Sequence, residues 1–208
     1  MNWRKIMRKV TVEELKQMAS DQREAVWQQA ESVGREPKVY LHWTAGHYFQ
    51  KFDDYHINIT ADGAIWLTTE DLSEVLAHTW MRNTGSIGVT LCCAAGATTN
   101  DLGDEPPTED QINAMAKVTT ALCDGLWLTI DKNHVMTHGE AAANEDGLHP
   151  HPAYAVWEDE CGDGQVRWDL EYLGTDESPE YAPWDLDGSR GGDVLRGKAQ
   201  WYRDRKLV

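Results

Sequence analysis

Apolar residues recur at helical spacing near the start of the chain. Val12, Leu15, Met18, Ala19, Val26 and Ala30 form one stripe, Thr11 and Glu14 make a capping box, and the pattern ends near Gly34, which predicts a helix over 11–33. Pro37 then opens a short apolar run, Val39-Tyr40-Leu41, that leads directly into His42. "YHINIT" (55–60) and "AIWLT" (64–68) read as two strands joined by a hairpin at Asp62-Gly63. "SIGVTLCCA" (86–94) is apolar enough to be a central strand, with Gly88 allowing a close backbone approach.

A second helical stripe follows a Pro-Pro-Thr start and comprises Ile112, Met115, Ala116, Val118, Thr119 and Leu122. "VMTH" (135–138) predicts a further short strand. From about 139 to 165 the chain turns to Gly, Pro, His, Asp and Glu and reads as a long loop, a feature often tied to function in a compact domain. "VRWDLEYL" (166–173) precedes a Gly/Asp/Pro-rich stretch and a final helix near 192–205. Alternating strands and helices place the chain in the α/β class with a mixed central sheet flanked by helices, built as one domain over 1–208.

Composition narrows the partners. The formal net charge of −16 disfavours nucleic acid and an anionic membrane surface. Nothing approaches the roughly 18 apolar residues of a membrane span, and the basic start has no apolar segment of the secretory type behind it. Cys92, Cys93, Cys123 and Cys161 form no CxxC pair and read as reduced, mostly buried thiols. Ten tryptophans fit either a core or a groove for sugars or peptides.

The candidate chemistry begins at His42. A histidine at a strand exit is ordinarily a half-buried, hydrogen-bonded side chain, and it becomes a metal ligand only with partners elsewhere. Two are available: His138 closes "VMTH", and Asp169 lies in "VRWDLEYL". Two imidazoles and a carboxylate supply three zinc ligands and leave the fourth tetrahedral position to water, whose pKa the metal lowers towards about 7. The spacing matches no compact zinc finger, so the fold must bring distant strand ends together.

The series "LHWTAG", "YHINITADGAIW", "HTWMRNTGSIGVTL", "PPTEDQINAMAKVTTAL" and "THGEAA" resembles, in order, the zinc-dependent N-acetylmuramoyl-L-alanine amidases of the phage-lysozyme and peptidoglycan-recognition-protein family. The resemblance runs from about 39 to 173, leaving the helix at 11–33 and an extension at 174–208 outside it. It implies a mixed sheet with zinc in a groove on one face, Zn2+ as cofactor, and cleavage of the amide between N-acetylmuramic acid and L-alanine of peptidoglycan. His42 matches the first ligand and His138 the second. The family's basic residue after the second histidine is lost here to Gly139, while the acid is kept at Glu140. Asp169, with Arg167 two residues before it, fits the third ligand; Asp146, His149 and His151 are the alternatives in the loop.

The resemblance also implies catalytic groups. Tyr55 matches a catalytic tyrosine, and Glu74, four residues before His78, is the preferred general base, with Glu70 as an alternative. Arg167 is placed to steady the developing oxyanion. His78, Trp43 and Asn83 are assigned to the substrate groove, although Asn83 and Ser86 also suit a turn that supports the strand. The expected protein is a monomeric amidase, made in the cytoplasm and acting on the cell wall after release or dedicated export, as an endolysin or a secreted effector. A non-catalytic peptidoglycan-binding module of the same fold is the second reading.

Overall fold

The computed structural model describes residues 7–148 and 168–208. Six strands form one sheet: β1 (Arg8–Val10), β2 (Lys38–Trp43), β3 (Ile57–Ile59), β4 (Ile65–Leu67), β5 (Ser86–Leu91) and β6 (Val135–Thr137), in the order β1-β4-β3-β5-β2-β6. β5 runs parallel to both β2 and β3, and β2 runs parallel to β6. β4 is antiparallel to β3 and to β1, which makes the sheet mixed. Among the described residues the helices are α1 (Val12–Asp21), α2 (Arg23–Glu31), α3 (Glu109–Leu126), α4 (His138–Ala142) and α5 (Gly191–Asp204). No helix among the described residues is long and apolar enough to cross a membrane.

The two faces of the sheet differ in chemistry because strand side chains alternate. Val39, Leu41 and Trp43 fall in rows with Ile87, Val89 and Leu91, and with Ile57 and Ile59. These residues join Leu15, Ala19, Met115, Val118 and Leu122 from α1 and α3 in the apolar core. The opposite face carries Tyr40 and His42 beside Gly88 and Thr90, then His56 and Asn58. A polar row buried on a sheet must be covered by groups that hydrogen-bond it, and this is the face that builds the site.

The capping box at Thr11 and Glu14 forms as the sequence predicts, but the helix over 11–33 is two helices broken at Gln22. The Gln22 side chain accepts from Leu72 N (2.7 Å) and donates to Glu70 O (2.8 Å), fastening the 70–72 loop to the break. α1 lies so close to α3 that a Cβ on Gly125 would meet Ala19 Cβ at 2.5 Å. Arg23 and Trp27 donate to the carbonyls of Gly125 and Leu126, which seals the C-terminal end of α3. Edge strand β1 has no counterpart in the sequence reading; three residues within a basic stretch carry no alternation signal. Cys92, Cys93 and Cys123 are fully buried free thiols, while Cys161 lies outside the described residues.

Candidate metal centre

The site forms where β2 and β6 end. His42 is the penultimate residue of β2 and shares the inward polar face with Tyr40. His138 follows β6 directly, because Thr137 ends the strand and caps α4. Its hydroxyl accepts from Glu140 N, and the Glu140 carboxylate accepts from Thr137 N, so Thr-x-x-Glu turns the chain right at His138. Asp169 arrives on a turn. Leu170 adopts a left-handed φ of 60° while its side chain enters the core, and Gly139 N donates to Asp169 O.

These three side chains converge. One donor atom from each of His42, His138 and Asp169 lies within 4.8 Å of the others, and all three residues are buried. Asp169 Oδ2 is 3.0 Å from His138 Nδ1 and 3.5 Å from His42 Nδ1, with the two imidazole centroids 4.7 Å apart. Donors held tetrahedrally around zinc stand about 3.3 Å apart, given bond lengths near 2.0–2.2 Å, so these spacings fit such an ion. Burial pushes the Asp169 carboxyl up, but the neighbouring His138, which also hydrogen-bonds it, and His42 outweigh that and hold the group well below the usual carboxylate range. The result is an ionised carboxylate facing two imidazoles, a donor set suited to a divalent metal.

A second layer surrounds the three side chains. The Tyr55 ring, half-buried before β3, lies 5.0 Å from the His42 ring. His78 stacks edge-on to His42 at 5.4 Å, resting on β5 where a Cβ on Gly88 would meet its Cγ at 2.6 Å. His56 accepts from Gly88 N through Nδ1 (3.1 Å), so its Nε2–H donates to the Glu74 carbonyl (2.8 Å) and anchors the 72–83 segment over this face. Burial and the neighbouring imidazoles push the His78 pKa well below the ordinary histidine value.

The other sequence candidates fall elsewhere. Trp43 is 6% exposed, on the core side of β2 and edge-on to Tyr172, which corrects its assignment to the groove: strand alternation turns it away from His42. Asn83 Oδ1 accepts from the backbone N–H groups of His78 and Thr79, a turn-shaping role. Glu70 pairs with Arg8 at the sheet edge, and Glu74 is half-buried in the anchored segment. Asp146 is committed to buried Arg82 at 2.8 Å and stands outside the ligand cluster. Arg167, His149 and His151 lie outside the described residues.

Two buried ion pairs from the C-terminal part of the chain brace the His-His-Asp cluster, and sequence reasoning missed them. Arg196 of α5 grips Glu140 through contacts of 2.7 and 2.8 Å and also donates to Val135 O. Arg190 binds both oxygens of Glu171, two residues beyond Asp169. A Cβ at Gly139 would meet Glu171 Oε1 at 2.5 Å, so the glycine that replaces the expected basic residue leaves room for this pair. Burial pushes the Glu171 carboxyl up to about 7 against the pull of Arg190.

Residues 17–152 match the family described as N-acetylmuramoyl-L-alanine amidase, which covers more than half of the chain. The chain belongs to this amidase family. His42 and His138 fall inside the matched span and Asp169 falls beyond it. Among solved structures, the endolysine N-acetylmuramoyl-L-alanine amidase LysCS from Clostridium intestinale URNW is 16% identical, with 56% of this chain and 72% of that chain covered and a TM-score of 0.38. No curated protein matches the chain. The family match and the His-His-Asp cluster thus overlap at His42 and His138.

Proposed function

We propose that this family member is a zinc-dependent hydrolase that cleaves the amide between the lactyl group of N-acetylmuramic acid and L-alanine in peptidoglycan. The observation that carries the reading is the convergence of His42, His138 and Asp169 at tetrahedral-scale spacing. A zinc ion held by these three residues supplies Lewis acidity and makes a water molecule acidic enough to attack at neutral pH.

The chain's own groups account for the remainder. The Tyr55 hydroxyl, carried on the ring that lies beside His42, donates a hydrogen bond to the scissile carbonyl oxygen as negative charge develops there. Arg167 adds a fixed positive charge to the same oxygen. The Glu74 carboxylate takes the proton of the attacking water and returns it to the alanine nitrogen as the carbon–nitrogen bond breaks. His78, pushed towards neutrality by burial, orients rather than titrates. The protein acts as a monomer on the cell wall, reached from the cytoplasm by release or dedicated export, in the manner of an endolysin or a secreted effector.

The three-residue cluster favours this reading over a non-catalytic binding module, because a full donor set is retained. The test is mass spectrometry of muropeptides incubated with the protein, with and without a chelator. Free stem peptides beginning at L-alanine, lost on chelation and restored by zinc, are expected. Intact fragments in the presence of bound zinc refute the amidase.

A further inference from the structure

Behind His42 lies a chain of hydrogen bonds whose direction can be worked out from its far end. Ser86 Oγ is 2.7 Å from Arg82 O and 2.9 Å from Asn83 O. Carbonyls only accept, so the single hydroxyl proton of Ser86 is committed to them. The next contact, Ser86 Oγ to His78 Nε2 at 3.4 Å, therefore takes its proton from the imidazole. A neutral His78 protonated on Nε2 has a bare Nδ1, which accepts from the Thr79 hydroxyl at 3.0 Å. Thr79 Oγ1, its own proton spent, accepts in turn from His42 Nε2 at 3.3 Å.

We infer that Thr79, His78 and Ser86 form a positioning relay that holds His42 as the Nε2–H tautomer and so presents its Nδ1 lone pair to the cation site. None of the three touches the reacting atoms. The relay rests on the reading of His42, His138 and Asp169 as a metal centre, and it gives that centre a directional element that His42 alone lacks. A bare Nδ1 facing Asp169 Oδ2 at 3.5 Å sets a lone pair against a carboxylate, an arrangement that becomes favourable with a positive charge between them. His78 packs edge-on against both His42 and His56, which fixes its ring between Thr79 and Ser86. Gly88 gives His78 the space to reach both Thr79 and Ser86.

The experiment compares the parent protein with Thr79→Val, which removes the hydroxyl at nearly constant shape, and Thr79→Ser, which restores it. Ser86→Ala, which frees the far end of the relay, is the second variant should Thr79→Val not fold. Two quantities are read. Long-range nitrogen–proton NMR of the metal-free protein at about pH 9, above the ordinary histidine range, reports the His42 tautomer. Competition with a chromophoric chelator reports zinc affinity. The parent and Thr79→Ser are expected to show the Nε2–H form, and Thr79→Val a shift towards Nδ1–H, with zinc affinity lower by about 10- to 100-fold. A parent already in the Nδ1–H form, or a Thr79→Val variant with unchanged tautomer and zinc affinity, overturns the relay. A parent that binds no zinc refutes the metal reading instead, and the tautomer spectra then decide the relay alone.

Discussion

Replacing Arg196 by methionine should separate the contribution of α5 from that of the family core. The guanidinium makes two contacts to Glu140, one to Val135 O at 3.0 Å and one to Asp193 at 2.6 Å. The paired side chains are 8% and 1% exposed, so the substitution leaves a carboxylate stranded in the interior. Breaking a buried pair from one side costs about 3–5 kcal/mol. Glu140 keeps the N–H of Thr137, and Lys132 stands 3.6 Å away but 40% exposed, which offsets a small part and places the expectation near 3 kcal/mol. For a chain of this length that is a fall of about 6–12 °C in Tm. Urea unfolding of the parent, Arg196→Met, Glu140→Gln and the double variant closes a thermodynamic cycle. The double variant should recover much of the loss, with a coupling of about 2 kcal/mol. Because Glu140 caps the helix that begins at His138, zinc affinity should fall in Arg196→Met as well. A loss below about 1 kcal/mol, the range of a solvated pair, would refute the account of α5 as a buried brace.

Gly88→Ala should destabilise the protein by about 1–3 kcal/mol and weaken zinc binding, since its methyl overlaps the His78 ring; urea midpoints and zinc titration check both, and unchanged values would mean that the ring is free to shift. Zinc at 100 times its Kd should stabilise the parent by about 2.7 kcal/mol in a thermal melt, and Asp169→Asn should lose most of that gain; an undiminished gain would remove Asp169 from the ligand set. Arg82 holds the Asp146 carboxyl below its ordinary range even though burial pushes it up. A depressed folded-state pKa gives stability that is present above about pH 4 and is lost as the pH falls through the folded value. The urea midpoint should therefore drop in acid, and Asp146→Asn should flatten that limb; an identical pH profile in the variant would exclude Asp146 as a source of acid lability.

The two histidines of the cluster were legible because each closes an apolar run, and a strand that ends in imidazole aims it at the end of the sheet. Asp169 was legible as a carboxylate in an apolar run and through resemblance, but the turn that carries it, held by Leu170 and by the Arg190–Glu171 pair, has no periodic signature. Gly88 announced a close approach without revealing that the visitor is His78. Trp43 shows the opposite failure: composition suggested a groove, while the alternation of β2 puts its ring in the core. The break at Gln22 was hidden because the apolar stripe continues across it, and the kink serves a loop some 50 residues away. Thr79 stood next to a named histidine, yet its role depends on a contact with a residue 37 positions earlier.

The three buried thiols lend the protein a clock. Cys92 directly follows strand β5 and Cys123 sits on α3, and burial pushes both pKa values up to about 12, so almost no thiolate exists at neutral pH. Cys93, deeper in charge terms, is raised further by its neighbour Cys92 in addition to burial. An alkylating reagent must wait for the sheet and α3 to part before it can react at any of these positions. The rate at which label appears at each then times the opening of the element that holds it.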